Sequence, residues 1–331
     1  MRISECDDED AAEVQRSNNA AVARIVLLIL IVSACSVGSG IEQPAASTAV
    51  PSHSTDVTTS SSTVSTTPLR SAVCAAFSEP VAIGTITDPA LVEVSGIVAG
   101  TNGEIWAHND SGYPPRLWAL DQSGNVLGSL EVGAQNVDWE DMSVVSSPTG
   151  QVYLYIADIG DNLSLRPSVT IHRFAEPSLL DGDVEELDSL IVRYPDGSAD
   201  AEAFFVDPVS GDSFIVTKAP SGRSSLLRIP GDSWSNSSVE AQQVATIDLG
   251  LLSFVTAGAI SSEGSTIALR TYRSVWLWER HSDESVANAM SVAPCEAPSP
   301  TEPQGEALAF DGTDLLSVSE GTGAVIYRIE Q

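Results

Sequence analysis

Five segments of this chain repeat one pattern, and that repeat constrains its fold more than any other feature. They are EVSGIVAG from Glu93, DWEDMSVV from Asp138, DAEAFFVD from Asp200, VTAGAISS from Val255 and QGEALAFD from Gln304. Each begins with polar or small residues and passes into an apolar strand. A second strand with a polar end follows: AHNDSG, ADIGDN, VTKAPSG, LRTYRS and SVSEGTG. A third comes next: RLWALD, VTIHRF, SLLRIP, VWLWER and AVIYRI. A fourth is visible in most repeats, such as VLGSLEV, SLIVRYP and VATIDLG. The period is roughly 45 to 60 residues, the size of a four-stranded propeller blade with its loops. The reading is an all-β propeller of five four-stranded blades. A sixth blade is the alternative, in the longer interval between Asp138 and Asp200. The last repeat stops after its third strand, and AFSEPVAIGTI near the domain's start is expected to close the ring, leaving no open sheet edge.

The repeat gathers the carboxylates. The segments align on Ile97, Met142, Phe204, Ala259 and Leu308. Two positions earlier stand Ser95, Glu140, Glu202, Ala257 and Glu306; four earlier stand Glu93, Asp138, Asp200, Val255 and Gln304. Residues two apart on a strand face the same side. In a propeller the first strand of each blade lines the channel, so the acids are expected as two incomplete rings at one mouth. The second strand runs back to that mouth. It should bring His108, Asn109, Asp110, Asp158, Asp161, Asn162, Lys218, Arg270 and Glu320 to the same face.

These residues offer several chemistries. Asp138, Glu140, Asp158, Asp161 and Asn162 are hard oxygen donors that suit Ca²⁺, less often Mg²⁺. The same groups can instead accept turn N–H bonds or touch a substrate directly. Glu140, Glu202 and Glu306 are candidate acid/base residues, because crowded carboxylates raise one another's pKa. Glu93, Asp110, Asp138, Lys218, Arg270 and Glu320 are candidate ligand contacts. Lys218 is the single lysine of the chain, and with Arg270 it either binds an anionic group or neutralises the acids. Trp139, between Asp138 and Glu140, should point away from the channel into a blade interface. No Gly-x-Ser-x-Gly elbow, zinc spacing or phosphate-cradling loop occurs, and no organic cofactor is indicated.

The motifs SGI after Glu93, NDSG, DWEDMS, DIGDN, DAEA and QGEA resemble an uncharacterised family of bacterial exported propellers. More loosely they are similar to the SdiA-regulated and phytase-like propeller families, whose inner strands open with SG(I/L) and D-x-E-(G/D). The resemblance covers most of 72–331 and implies the propeller fold. It supplies no catalytic set, so no active-site residue is carried over from it.

Residues 1–35 read as a signal peptide. Arg24 precedes an apolar run from Ile25 to Val32, too short to span a bilayer comfortably. Val32-Ser33-Ala34-Cys35 resembles a lipobox, with Cys35 the lipidation site. The acidic stretch ahead of Arg24 is unlike a signal peptide and leaves the translation start open. Residues 36–71 are Ser/Thr/Pro-rich and read as a disordered tether, and 72–331 as the propeller. The protein is thus expected at the outer face of a bacterial cell membrane, held by its lipid. Cys74 and Cys295 remain as an expected disulfide. A net charge of −30 argues against nucleic-acid binding. The leading functional expectation is a binding module for a small molecule or glycan, with Ca²⁺. Alternatives are a hydrolase of a glycoside or phosphate ester, and a scaffold for a protein partner.

Overall fold

The computed structural model describes residues 72–331. The expected signal peptide with Cys35 and the expected tether at 36–71 lie outside the described residues. The chain enters through a single helical turn, α1 (Ala72–Ala75), and a strand, β1 (Val81–Thr85).

Blade 1 then comprises β2 (Val94–Ala99), β3 (Ile105–Asn109), β4 (Arg116–Leu120) and β5 (Val126–Glu131). Blade 2 comprises β6 (Trp139–Ser146), β7 (Val152–Asp158), β8 (Val169–Ala175) and, after the short β9 (Gly182–Asp183), β10 (Asp188–Arg193). Blade 3 holds β11 (Ala201–Val206), β12 (Ser213–Thr217), β13 (Arg223–Ile229) and, after β14 (Ser238–Glu240), β15 (Gln242–Asp248). Blade 4 holds β16 (Val255–Ile260), β17 (Thr266–Thr271), β18 (Val275–Glu279) and β19 (Cys295–Ala297). Blade 5 holds β20 (Gly305–Asp311), β21 (Asp314–Ser319) and β22 (Val325–Ile329), and β1 completes it by pairing with β22. The ring therefore has five blades, closed by the N-terminal strand. The interval between Asp138 and Asp200 contains one blade, not two. Its extra length goes partly into β9, which pairs in parallel with β5 at the edge of blade 1. In the same way β14 caps the outer edge of blade 2.

Inner strands β2, β6, β11, β16 and β20 pack against one another in ring order. They are buried along nearly their whole length, whereas outer strands such as β10 alternate exposed and buried positions. That difference follows from packing: an inner strand has neighbours on every side, an outer one faces solvent on one. The core is five apolar clusters, one for each interface between adjacent blades. Trp139 sits fully buried between blades 1 and 2, its Nε1 donating to the Gln135 carbonyl at 3.0 Å. Burial of such side chains contributes roughly 1.5–3 kcal/mol each.

Cys74 and Cys295 are joined in a disulfide across a sequence separation of 221. It fastens α1 to the outermost strand of blade 4, beside the seam where the ring closes.

Candidate functional site

Each inner strand carries a β-bulge near its start, at the same place in all five blades. The pairing register skips Ser95, Glu140, Glu202, Thr256 and Glu306. A bulged residue is freed from the ladder and its side chain re-aimed. Three of the five are thereby glutamates presented together at one mouth of the channel. The bulge also corrects the sequence alignment in blade 4. The equivalent residues there are Thr256 and Phe254, not Ala257 and Val255. Neighbouring bulges touch: Ser95 Oγ donates to the Glu140 carbonyl at 2.6 Å, and Thr256 Oγ1 donates to the Gly305 carbonyl at 2.9 Å.

In four of the five blades the residue just after the second strand brings a polar group to this mouth: Asp110 in blade 1, Lys218 in blade 3, Tyr272 in blade 4 and Glu320 in blade 5, whereas blade 2 has the buried Ile159. Asp110, Lys218 and Glu320 each donate their backbone N–H to the residue two before the neighbouring bulge, that is to Glu93, Asp200 and Gln304. Asp110, Asp138 and Glu140 offer carboxylate oxygens that lie within 4.8 Å of one another. This trio could hold a metal ion. Glu93, Glu202 and Glu320 stand close enough to act on it electrostatically.

The crowding shows in the acidities. Burial, then the charge of Glu93, pushes Asp110 up to about 6. Burial, then Asp110, pushes Asp138 up to about 7. Glu140 is held well above the carboxylate range by burial and by Asp110, Glu202 and Asp138. Glu306 is raised in the same way by burial, Glu202 and Glu320, while Glu320 rises to about 7. Carboxylates so placed share protons or recruit a cation.

The DIGDN loop supports this cluster instead of joining it. Asp158 accepts the N–H groups of Val137 and Asp138, each at 3.2 Å, and pairs with Arg166 at 2.7 Å. Asp161 accepts the N–H groups of Leu165 and Arg166 at 2.8 and 2.7 Å. Asn162 is exposed. None of the three belongs to the trio, and Asp110 stands with Asp138 and Glu140 where the sequence pattern pointed to them. The informative residue of the loop is Gly160. A Cβ there would strike Glu140 Oε1 and lie 2.6 Å from the Asp138 carboxyl. Gly160→Ala should displace both carboxylates and weaken divalent-cation affinity at least about tenfold, or about 1.4 kcal/mol. Calorimetric titration of that variant checks it.

Lys218 provides the mouth's cation. Its Nζ pairs with Glu202 and lies 5.0 Å from the centre of the Tyr272 ring. Burial works against the ammonium, but Glu202, Tyr272, Glu306 and Glu140 outweigh it and hold its pKa well above normal. The second Glu202 oxygen, Oε2, is buried without a hydrogen-bond partner. Arg270 lies beneath the mouth rather than in it. It is fully buried, paired with Glu302, and donates to Ser317 Oγ at 2.6 Å. Gly305 is required there, since a Cβ would run into the Arg270 guanidinium. Tyr272 and Glu302 escaped the sequence reading. Tyr272 was within reach of it, because it aligns with Asp110, Lys218 and Glu320 once the bulge is counted.

Below the mouth the channel is crossed by Asp141. Its Oδ2 accepts the N–H groups of Phe204 and Gly258, both at 2.8 Å, so one carboxyl joins blades 2, 3 and 4. His108 is buried beside it and pushed down to about 4 by burial, so its ring is neutral. On the far side a cavity of about 340 Å³ opens at the opposite mouth. Ile97, Met142, Gly258 and Leu308 line it, and the carboxylate mouth lies at the other end of the channel.

No family model and no curated protein matches the chain. Solved structures with a similar fold include three at low identity. A catalytically inactive virginiamycin B lyase from Staphylococcus aureus with quinupristin is 10% identical, at a TM-score of 0.37 over 72% of this chain and 66% of its own. A glucose dehydrogenase is 10% identical, at 0.46 over 77% of this chain and 100% of its own. The WD40 repeats of RRP9 are 11% identical, at 0.41 over the same shares. What this chain has in common with them is its architecture, a β-propeller.

Proposed function

We propose that this protein is a binding module of the bacterial cell envelope whose propeller mouth holds Ca²⁺ and presents it to a small-molecule or glycan ligand. The observation that carries the reading is the trio of Asp110, Asp138 and Glu140, with oxygens within 4.8 Å of one another. Hard oxygen donors at this density suit Ca²⁺, which takes six to eight oxygens and tolerates irregular geometry. The trio would supply the protein's share and leave positions for ligand hydroxyls or water. The bonded Cys74–Cys295 pair supports an oxidising compartment. On this reading the lipidated Cys35 and its tether hold the propeller at the outer face of the membrane.

A hydrolase is the second reading, favoured by one feature. Burial and neighbouring carboxylates hold Glu140 and Glu306 well above the ordinary carboxylate range, the direction a general acid requires. It predicts turnover of a glycoside or phosphate ester that Glu140→Gln abolishes while the fold survives.

The cation reading fixes the sign of the pH dependence. Asp110, Asp138 and Glu320 have folded pKa values of about 6, 7 and 7, above the ordinary carboxylate value. The folded state therefore keeps protons that the unfolded chain releases. Their contribution to stability is full below about pH 4 and is lost as pH rises through about 7. The melting temperature of metal-stripped protein should fall between pH 5 and 8. Saturating Ca²⁺ should restore it at pH 8 and change little at pH 5. Identical curves with and without Ca²⁺ would rule the reading out.

A further inference from the structure

The loops around the acidic mouth display apolar side chains to solvent. Of eleven exposed large apolar residues among the described residues, five stand on these loops: Val137, Leu163, Leu165, Leu251 and Leu252. Leu163 and Leu165 are 70% and 73% exposed, and Leu251 and Leu252 are 78% and 57% exposed. The other six are spread over outer strands, connecting segments and the opposite end.

Topology puts both leucine pairs at the mouth. The first pair lies on the β7–β8 loop, three and five residues after Gly160. The second lies on the β15–β16 loop, which leads through Phe254 to the Thr256 bulge. Leu252 donates its N–H to the Pro220 carbonyl, two residues beyond Lys218, at 3.1 Å.

The backbone of the same loops is unusual. Only two non-glycine described residues adopt positive φ, Ser164 at 51° and Leu252 at 64°. One sits between Leu163 and Leu165, and the other is itself a rim leucine. A positive φ is disfavoured for side chains other than Asn, Asp or Gly, most of all for bulky ones. These turns spend conformational energy where the reward is an outward-facing leucine. Exposed apolar groups around a polar centre mark interaction surfaces.

The charge at the centre selects the partner. Once a divalent ion occupies the trio, Glu93 and Glu320 remain at the mouth on the side of blades 1 and 5. The leucine pairs stand on blade 2 and on the loop that joins blades 3 and 4. A chain of net charge −30 repels anionic lipid headgroups and steers cationic groups inward. The leucines stand on separate blades outside the acids, so one occupant reaches them all only if it is extended.

We propose that the acidic mouth and its leucine rim dock a polypeptide segment bearing a Lys or Arg between apolar side chains. The basic group enters toward Glu93 and Glu320, and the flanking apolar groups cover Leu163, Leu165, Leu251 and Leu252. This deepens the proposed reading of the mouth as a cation site, yet its rim is separable from the Ca²⁺ trio.

The test selects a phage-displayed library of random dodecapeptides on the immobilised full chain with Ca²⁺ present. Enriched sequences are then synthesised, and their affinity is measured by fluorescence anisotropy. The expected consensus is Lys or Arg flanked by apolar residues. Affinity should drop at least tenfold when the basic residue becomes Glu, and equally on the L163S/L165S or L251S/L252S variants. These variants should bind Ca²⁺ like the wild type, which also reports that they are folded. Enrichment without a basic residue, no enrichment over the bare surface, or unchanged affinity of both variants overturns the proposal. So does leucine-dependent co-sedimentation with phosphatidylcholine vesicles, since it would make lipid the occupant. Peptide docking in a protein that binds no Ca²⁺ would remove the Ca²⁺ reading alone.

Discussion

Asp141→Ala should cost about 3–6 kcal/mol of folding stability, enough to unfold many domains of this size. Asp141 is fully buried, and its two oxygens take three backbone N–H groups. Two of these donors, Phe204 and Gly258, belong to other blades. Removing the carboxyl leaves them buried without acceptors, at about 1–3 kcal/mol each, and empties the centre of the channel. Burial pushes the Asp141 carboxyl well above its ordinary pKa, while the three N–H donors pull it down. Asp141→Asn is the informative control. Its single amide oxygen can still accept from both Phe204 and Gly258, so it should lose far less than alanine. Chemical denaturation of the two variants measures this. Equal losses would show that the cross-blade bonds matter little.

Glu302→Ala should be the second severe change, at about 3–5 kcal/mol. It strips the counter-charge from Arg270, which is fully buried. Burial already lowers the Arg270 pKa, with Glu302 and Glu306 opposing that effect. Ser317 remains as a hydrogen-bond acceptor but cannot neutralise a guanidinium. Replacing both partners at once, as Arg270→Met with Glu302→Leu, should be much milder, because no unpaired charge is then left inside. A double-mutant cycle in denaturant separates the two cases. A single variant as stable as the double one would show that Arg270 finds another counter-charge, with Glu306 the nearest candidate.

Much of this was legible in the sequence because it is periodic. Five copies of one inner strand announced five blades. The strand missing after AVIYRI announced that β1 would be borrowed. The spacing of Glu140, Glu202 and Glu306 placed them in one ring, and the Asp110 and Glu320 motifs returned to it. The bulge was not legible, since it adds one residue in every blade and so defeats a rule based on alternation. Blade 4 slipped for a separate reason: two places after its bulge stands Gly258, where the other blades have a large apolar residue, so the alignment settled on Ala259 and read Ala257 for Thr256. The same slip hid Tyr272 and drew attention to Arg270, which belongs with buried His108 in the register. Asp141 follows Glu140 but stands outside both carboxylate columns of the repeat. Its partners are Phe204 and Gly258, far along the chain, and no local pattern reveals such a bond. Glu302 escaped for the same reason, because it meets Arg270 only across the seam between blades 4 and 5.

If Asp110, Asp138 and Glu140 hold a divalent cation, as proposed, isothermal titration of metal-stripped protein with Ca²⁺ should show one ion bound per chain. Run in two buffers of different ionisation enthalpy near pH 7, it should also show release of protons, because Asp138 and its neighbours hold some of theirs at that pH until the ion arrives. Asp138→Asn should abolish the heat. A flat titration, or binding that Asp138→Asn leaves unchanged, would show that the trio holds no cation.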